Sequence, residues 1–229
     1  MIMHNINSKL IVIEGVDSSG KATQSKLLYE ALSVMGIEVS SVEFPNYASE
    51  SSSVVKMYLG GDFGSDPSAV NAYAASIFFA VDRFASVKAV WKDKFASGGV
   101  VIADRYTTSN MVHQASKIDD LEKKSEFLDW LYDLEYNKME LPEPDLVIFL
   151  DMPVKYAQML MANRANKITN SDVKDIHESN EEYLTMAYNN ACFVAEKYNW
   201  TRISCVKDGN VRPIEDIAAE ILSYAEKII

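Results

Sequence analysis

Cysteine is scarce in this 229-residue sequence, with only Cys192 and Cys205, no CxxC and no histidine at ligand spacing beside them. That excludes a disulfide framework and a zinc site, and leaves two buried free thiols as the expectation. Basic charge is scarce too: 22 Lys and Arg stand against 33 Asp and Glu, a net charge of −11. Such a chain repels polyanions unless its cations are gathered at one place, so nucleic acid is not an expected partner; a small phosphorylated ligand in a locally positive cleft is. Long apolar runs are absent. Residues 10–13 are far too short for a signal h-region or a membrane span, so no membrane partner and a cytoplasmic location are expected. Of the histidines His4, His113 and His177, none sits in a Ser-His-Asp or Cys-His arrangement.

What the sequence does have is alternation. Short runs rich in Val and Ile at 10–14, 38–44, 100–104, 146–151 and 202–206 predict buried strands. Apolar residues return at three- and four-residue intervals over 21–35, 70–95, 126–137, 154–163, 181–198 and 214–227, which predicts helices between them. Together they predict an α/β fold of one domain over 1–229, a five-stranded, mainly parallel sheet with helices on both faces. Polar stretches at 46–53, 60–67 and 165–180 read as loops, the last as a mobile lid inserted at about 163–180.

Ligands of such sheets collect beyond the carboxyl ends of the strands. There, after the first strand, Gly15-Val16-Asp17-Ser18-Ser19-Gly20-Lys21 matches GxxxxGK and opens a helix. Backbone N–H groups of such a loop point at a phosphate while the lysine ammonium neutralises its oxygens, which makes Gly15, Ser18, Ser19, Gly20, Lys21, Ala22 and Thr23 the candidate phosphate cradle. The position after the lysine, where a Ser or Thr normally ligates magnesium, is Ala22. Thr23 comes one place late, turned by about 100 degrees on a helix, and is no simple replacement.

Glu14-Gly15-Val16-Asp17 running to Gly20-Lys21-Ala22-Thr23-Gln24 resembles the opening of thymidylate kinases. The resemblance continues in order through Phe44-Pro45, Phe79 with Arg83, Asp104-Arg105-Tyr106, Ser109-Asn110, Gln114 and the stretch from Leu141-Pro142 to Asp145-Leu146. It implies a three-layer P-loop kinase fold, ATP and thymidylate as partners, Mg2+ as cofactor, and a homodimer joined through helices that include 70–95. Asp104 ends a strand as a Walker-B carboxylate does and is expected to hold a magnesium-bound water. Arg105 is expected to reach both acceptor and donor phosphates, where its fork matches phosphate geometry. Phe79 and Arg83 share a helix face, so a base would stack on the ring while the guanidinium meets a carbonyl oxygen. Asn110 and Gln114 offer amides suited to a pyrimidine edge. Phe44 and Pro45 join the acceptor site, and Asp17 resembles the residue set against the sugar 3′-hydroxyl. With Ser18 and Ser19 in the loop instead of arginine, the catalytic arginine is expected from the lid at Arg164; Glu178 resembles an acidic lid residue that contacts the acceptor. The arginine often found after Phe-Pro is replaced by Asn46 and Tyr47, which leaves the acceptor phosphate to Arg105. Two alternatives compete with this reading. A deoxynucleoside kinase would need a carboxylate base, Glu14 or Asp17; a regulatory nucleotide-binding protein without turnover would account for Ala22.

Overall fold

The computed structural model describes residues 7–161 and 181–229. Five strands, β1 (Lys9–Glu14), β2 (Val39–Glu43), β3 (Val100–Asp104), β4 (Leu146–Asp151) and β5 (Thr201–Ser204), form one sheet in the order β2-β3-β1-β4-β5. Every pairing in it is parallel. The three central strands are apolar almost throughout because both their faces are covered. Alternate residues of β1 show it: Ile11 and Ile13 pack on one side with Leu28 and Leu32 of α1 (Lys21–Val34), while Leu10 and Val12 pack on the other with Val87, Trp91 and Phe95. The expectation of an α/β fold with helices on both faces is met, and the sheet is entirely rather than mainly parallel.

Edge strand β2 carries Ser40 and Ser41 and is only half-buried, the pattern of a strand with one neighbour. The helix expected over 70–95 runs instead as α3 (Ala72–Ser86), a π-helical turn (Val87–Trp91) and α4 (Lys92–Ala96). Asn71 caps its start, its side chain accepting from the Ala74 N–H at 2.9 Å. The polar stretch at 46–53 is not a plain loop: it ends in a 3-10 turn (Glu50–Ser52) that leads into α2 (Ser53–Leu59), which buries Val55, Tyr58 and Leu59. After β3 comes α5 (Thr107–His113), then α6 (Leu121–Tyr132), which continues as a second π-helical stretch (Asp133–Lys138). α7 (Val154–Met161), α8 (Glu181–Lys197) and α9 (Ile214–Ala225) complete the helices described. The strand expected at 202–206 ends at Ser204, and Val206–Lys207 pairs antiparallel with Asn210–Val211 as a hairpin, β6 and β7. Among the described residues no helix is long and apolar enough to cross a membrane. The lid expected at about 163–180, with Arg164 and Glu178, lies outside the described residues.

β1 and β3 are neighbours whose following connections leave in opposite directions, towards β2 from the one and towards β4 from the other. That switch point opens the crevice in which the site sits.

Candidate active site

Gly15 must be glycine, since a Cβ there would stand 2.5 Å from Ser19 Oγ and 3.1 Å from the Leu150 carbonyl. Gly20 sits at φ 96 as the residue before α1, a backbone state that costs side-chain-bearing residues energy. Between them Ser18 also takes positive φ, 61 degrees. The loop so formed wraps the Lys21 ammonium, which donates to the Gly15 and Val16 carbonyls at 2.8 Å each. Burial and the Arg105 charge push the Lys21 pKa down to about 8, against the pull of Asp17, Asp104 and Glu14. A buried ammonium whose partners are neutral carbonyls favours an arriving anion. Ala22 and Thr23 are exposed and face the same cleft, which holds about 510 Å³ and reaches past Asp104 and Arg105 to Val211, Arg212 and Ile214.

Arg105 follows β3 with φ 68, in the left-handed region. A non-glycine residue held there next to a cleft is a mark of functional strain. Its Nη2 donates to Asp17 in a short contact, Nη1 lies 3.0 Å from His113 Nε2, 3.4 Å from Ser109 Oγ and 3.6 Å from Glu14 Oε1. Burial works to lower the guanidinium pKa, and the Asp17, Glu14 and Asp104 carboxylates outweigh it and raise it. Glu14 is fully buried and saturated, accepting from the Gly15 N–H (2.9 Å), Thr108 Oγ1 (2.8 Å) and Ser109 Oγ (2.7 Å). Because arginine only donates, His113 Nε2 must be the acceptor, which puts the proton of the neutral ring on Nδ1, 3.4 Å from the Tyr183 hydroxyl of α8.

Beyond Arg105 lies a smaller side pocket of about 70 Å³, lined by Phe79, Arg83, Asn110, Gln114, Leu59 and Tyr106 among others. Phe44, Pro45, Tyr47, Asp17 and Arg105 line both compartments, so Arg105 stands at their junction. Phe79 is half-buried and edge-on to Tyr58, with ring centroids 6.2 Å apart. Arg83 is engaged with Glu135, Nε to Oε2 at 2.6 Å and Nη2 to Oε1 at 2.5 Å, a fork-to-fork pair. Asn110 Nδ2 donates to the same Glu135 and to the Ser76 carbonyl, both at 3.1 Å. Gln114 Oε1 is a buried acceptor with no partner among the described residues. Asp82, one turn from Phe79, fixes the loop after Pro45 by accepting from the Asn46 N–H (2.8 Å) and Ser51 Oγ (2.6 Å).

The fold thus brings together every sequence-derived site residue that it describes. It adds Glu135, His113, Tyr183, Tyr47 and Arg212. Glu135 had a sequence signal, a carboxylate continuing the apolar stripe of Leu128 and Leu131, where an unpaired charge could not stay. His113 had none beyond its spacing from Asn110. For a metal, no group of three His, Cys, Asp or Glu side chains stands together among the described residues, and Ala22 has no hydroxyl. Asp104, near-buried at the end of β3, lines the cleft and acts on the Lys21 charge. This donor set fits a hard cation that arrives with most of its oxygen ligands already in place.

Comparison with known proteins bears on the same residues. The sequence profile described as thymidylate kinase matches residues 13–205. A probable thymidylate kinase of Thermococcus gammatolerans is 32% identical over 222 residues, covering 96% of each chain. The human thymidylate kinase is 32% identical over 143 residues, 62% of this chain and 60% of that one. The solved structure of thymidylate kinase from Candida albicans superposes with a TM-score of 0.72 at 20% identity, over 96% of this chain and 92% of that one, a likeness of fold. The match spans the phosphate loop, the Arg105 turn and most of the sheet, and the chain belongs to the thymidylate kinase family.

Proposed function

We propose that this protein is a single-domain kinase that transfers the γ-phosphoryl group of ATP to thymidylate, giving ADP and thymidine diphosphate. The observation that carries the reading is the position of Arg105, where a phosphate cradle meets a pocket lined by a stacking ring and pyrimidine-edge donors and acceptors. ATP phosphates fit over Gly15–Lys21 with the base towards Arg212 and Ile214; the acceptor base fits against Phe79, its edge towards Arg83, Asn110 and Gln114. Both phosphates then converge on Arg105.

The nucleophile is an oxygen of the acceptor phosphate, whose second pKa of about 6 leaves it anionic at neutral pH, so no general base is required. What the protein must do is hold two polyanions in line and exclude water. Lys21 neutralises donor oxygens. Arg105 exchanges its long contacts to Glu14 and Ser109 for phosphate oxygens, while Asp17 remains beside the sugar. Arg164 of the lid is proposed to add the third positive charge and Glu178 to approach the acceptor. Asp104 would hold a magnesium ion through water, and the ion would supply positive charge against the donor phosphates.

The nucleoside-kinase alternative is disfavoured by the state of Glu14. Its oxygens are already engaged by three hydrogen bonds and face a guanidinium, and the junction carries a cation where a neutral hydroxyl would need none. A homodimer is supported by α3, whose Tyr73, Ile77, Val81 and Phe84 form one exposed apolar stripe. With ATP as donor, the cytoplasm is the proposed place of action. The test is ADP formation with ATP, magnesium and each common nucleoside monophosphate, with thymidine as control. Turnover with thymidylate supports the reading; turnover only with thymidine, or ATP binding without turnover, overturns it.

A further inference from the structure

Glu135 lines neither compartment of the cleft, yet it is wholly buried and touches two residues that line the side pocket. Arg83, Asn110 and Glu135 are all within 2% of full burial. A carboxylate in such a place is stable only when saturated, and three N–H donors saturate it: Arg83 Nε, Arg83 Nη2 and Asn110 Nδ2. It is carried there by the π-helical stretch Asp133–Lys138, with the Met139 N–H bonded to the Leu134 carbonyl at 2.9 Å. Helical turns of this kind concentrate where a side chain has been re-aimed for function.

The consequence concerns which atoms remain for a ligand. With Nε and one Nη2 hydrogen taken, Arg83 keeps Nη1 and the second Nη2 hydrogen, donors only, for the pocket it lines. With both acceptors of its NH2 group on the inner side, at Ser76 and Glu135, the Asn110 amide keeps Oδ1, an acceptor only. Gln114 adds a primary amide, with the buried acceptor Oε1 and the donor Nε2. The Arg83 donor beside the Asn110 acceptor matches a pyrimidine with a 4-carbonyl and N3–H, as in thymine and uracil, and the Gln114 amide can serve either edge. It mismatches cytosine, whose 4-amino group donates and whose N3 accepts. We infer that Glu135 is a positioning residue for base selection: by holding Arg83 and Asn110 together it fixes their remaining polar atoms in the pattern that admits 4-oxo pyrimidine monophosphates and rejects 4-amino ones. The inference rests on the proposed function and deepens it, since it assigns the selectivity of the acceptor pocket to a residue that no substrate touches.

Glu135→Gln keeps shape but swaps one acceptor oxygen for an NH2: with its oxygen at the Oε1 place it still serves Arg83 Nη2 and Asn110 but turns a donor on Arg83 Nε, so the guanidinium is no longer held by two bonds. Glu135→Asp keeps the charge buried but shortens the reach, and guards against a Gln variant that fails to fold. The experiment measures kcat and KM for the monophosphates of thymidine, deoxyuridine and deoxycytidine, together with KM for ATP and thermal unfolding of each full-length protein. Expected is a KM for thymidylate raised about tenfold or more, a smaller change in kcat, and a thymidylate-to-deoxycytidylate selectivity reduced by about tenfold or more, because a mispaired polar site loses its grip on the correct edge. KM for ATP stays within about twofold, and the Asp variant shifts the same quantities less. Unfolding at lower temperature with unchanged selectivity in both variants would reduce Glu135 to a structural ion pair and overturn the inference. A parent protein that phosphorylates none of the three acceptors overturns the function first and this inference with it; selective turnover by the parent keeps the two questions apart.

Discussion

Two arginines border the side pocket, and their surroundings differ in kind. Arg83 is closed into one carboxylate by two bonds of 2.5 and 2.6 Å with nothing exposed beyond a trace. Arg105 keeps 16% of its side chain accessible and spreads itself over Asp17, Ser109, His113 and Glu14, three of those contacts at 3.4 to 3.6 Å or to a neutral ring. Its backbone is also held at φ 68. Arg83 is built into a bidentate pair that fixes its geometry; Arg105 keeps one strong charge pair, to Asp17, and three weaker contacts that an arriving phosphate could replace, on a backbone set in place by the strand before it. On the proposed function, the same residue type would serve base reading in one place and charge stabilisation in the other.

Removing each arginine tests that contrast. Arg105→Ala is expected to lower kcat with thymidylate by about 10³-fold or more, in the range of arginine groups that stabilise a transferring phosphoryl. Urea unfolding of that variant should change far less than its activity. Arg83→Ala is expected to do the converse: Glu135 is left buried without its partner, a loss of about 3–5 kcal/mol in folding stability. Should Arg83→Ala unfold at the parent's urea concentration, the buried-pair description is wrong.

His113→Phe removes the acceptor that orients Arg105 and keeps the ring stack on Tyr183, whose centroid lies 6.2 Å away. One lost hydrogen bond to a charged group is worth about 1.5–3 kcal/mol, so kcat/KM should fall by roughly tenfold to a hundredfold. His113→Gln, which retains an acceptor oxygen, should recover most of it, and equal losses in both variants would dismiss the orienting role.

Lys21 gives a smaller and signed effect. Its pKa is held at about 8 in the ligand-free protein, and polyphosphate favours the charged form, so the pKa must rise on binding. Between about 8 and the ordinary 10.5 the complex then carries more protons than the free protein, and ATP binding takes up protons near pH 9. Calorimetry in two buffers of different ionisation enthalpy reads this directly; heats independent of buffer would place Lys21 away from the phosphates. The smallest expected change is that of Ala22→Ser, which restores a hydroxyl at the helix start and should lower the magnesium concentration for half-maximal rate by a few-fold, about 1 kcal/mol at most.

Legibility in the sequence followed burial and contiguity. β3 and β4 match their expected limits residue for residue, because strands covered on both faces have no choice but to be continuously apolar. The hairpin β6 and β7, two exposed two-residue strands, and α2, seven residues starting in a Ser-rich stretch, had too little apolar repeat to announce themselves. In the site, the loop over Gly15–Lys21 was readable because its seven residues are consecutive, each glycine answering a local constraint. That Arg83 shares a pocket with Phe79 was readable from their spacing, but its partner Glu135 lay 52 positions away.

The sequence by itself determined the layered α/β class, the phosphate cradle and the charged turn at Asp104 and Arg105, since these depend on short-range periodicity and on backbone conformations that adjacent residues dictate. Only the tertiary structure decided that Asp17 and His113 share Arg105 and that Glu135 holds Arg83 and Asn110 at once. Those are pairings between elements distant in the chain, and their energy comes from removing charges from water together, which no local pattern of residues records.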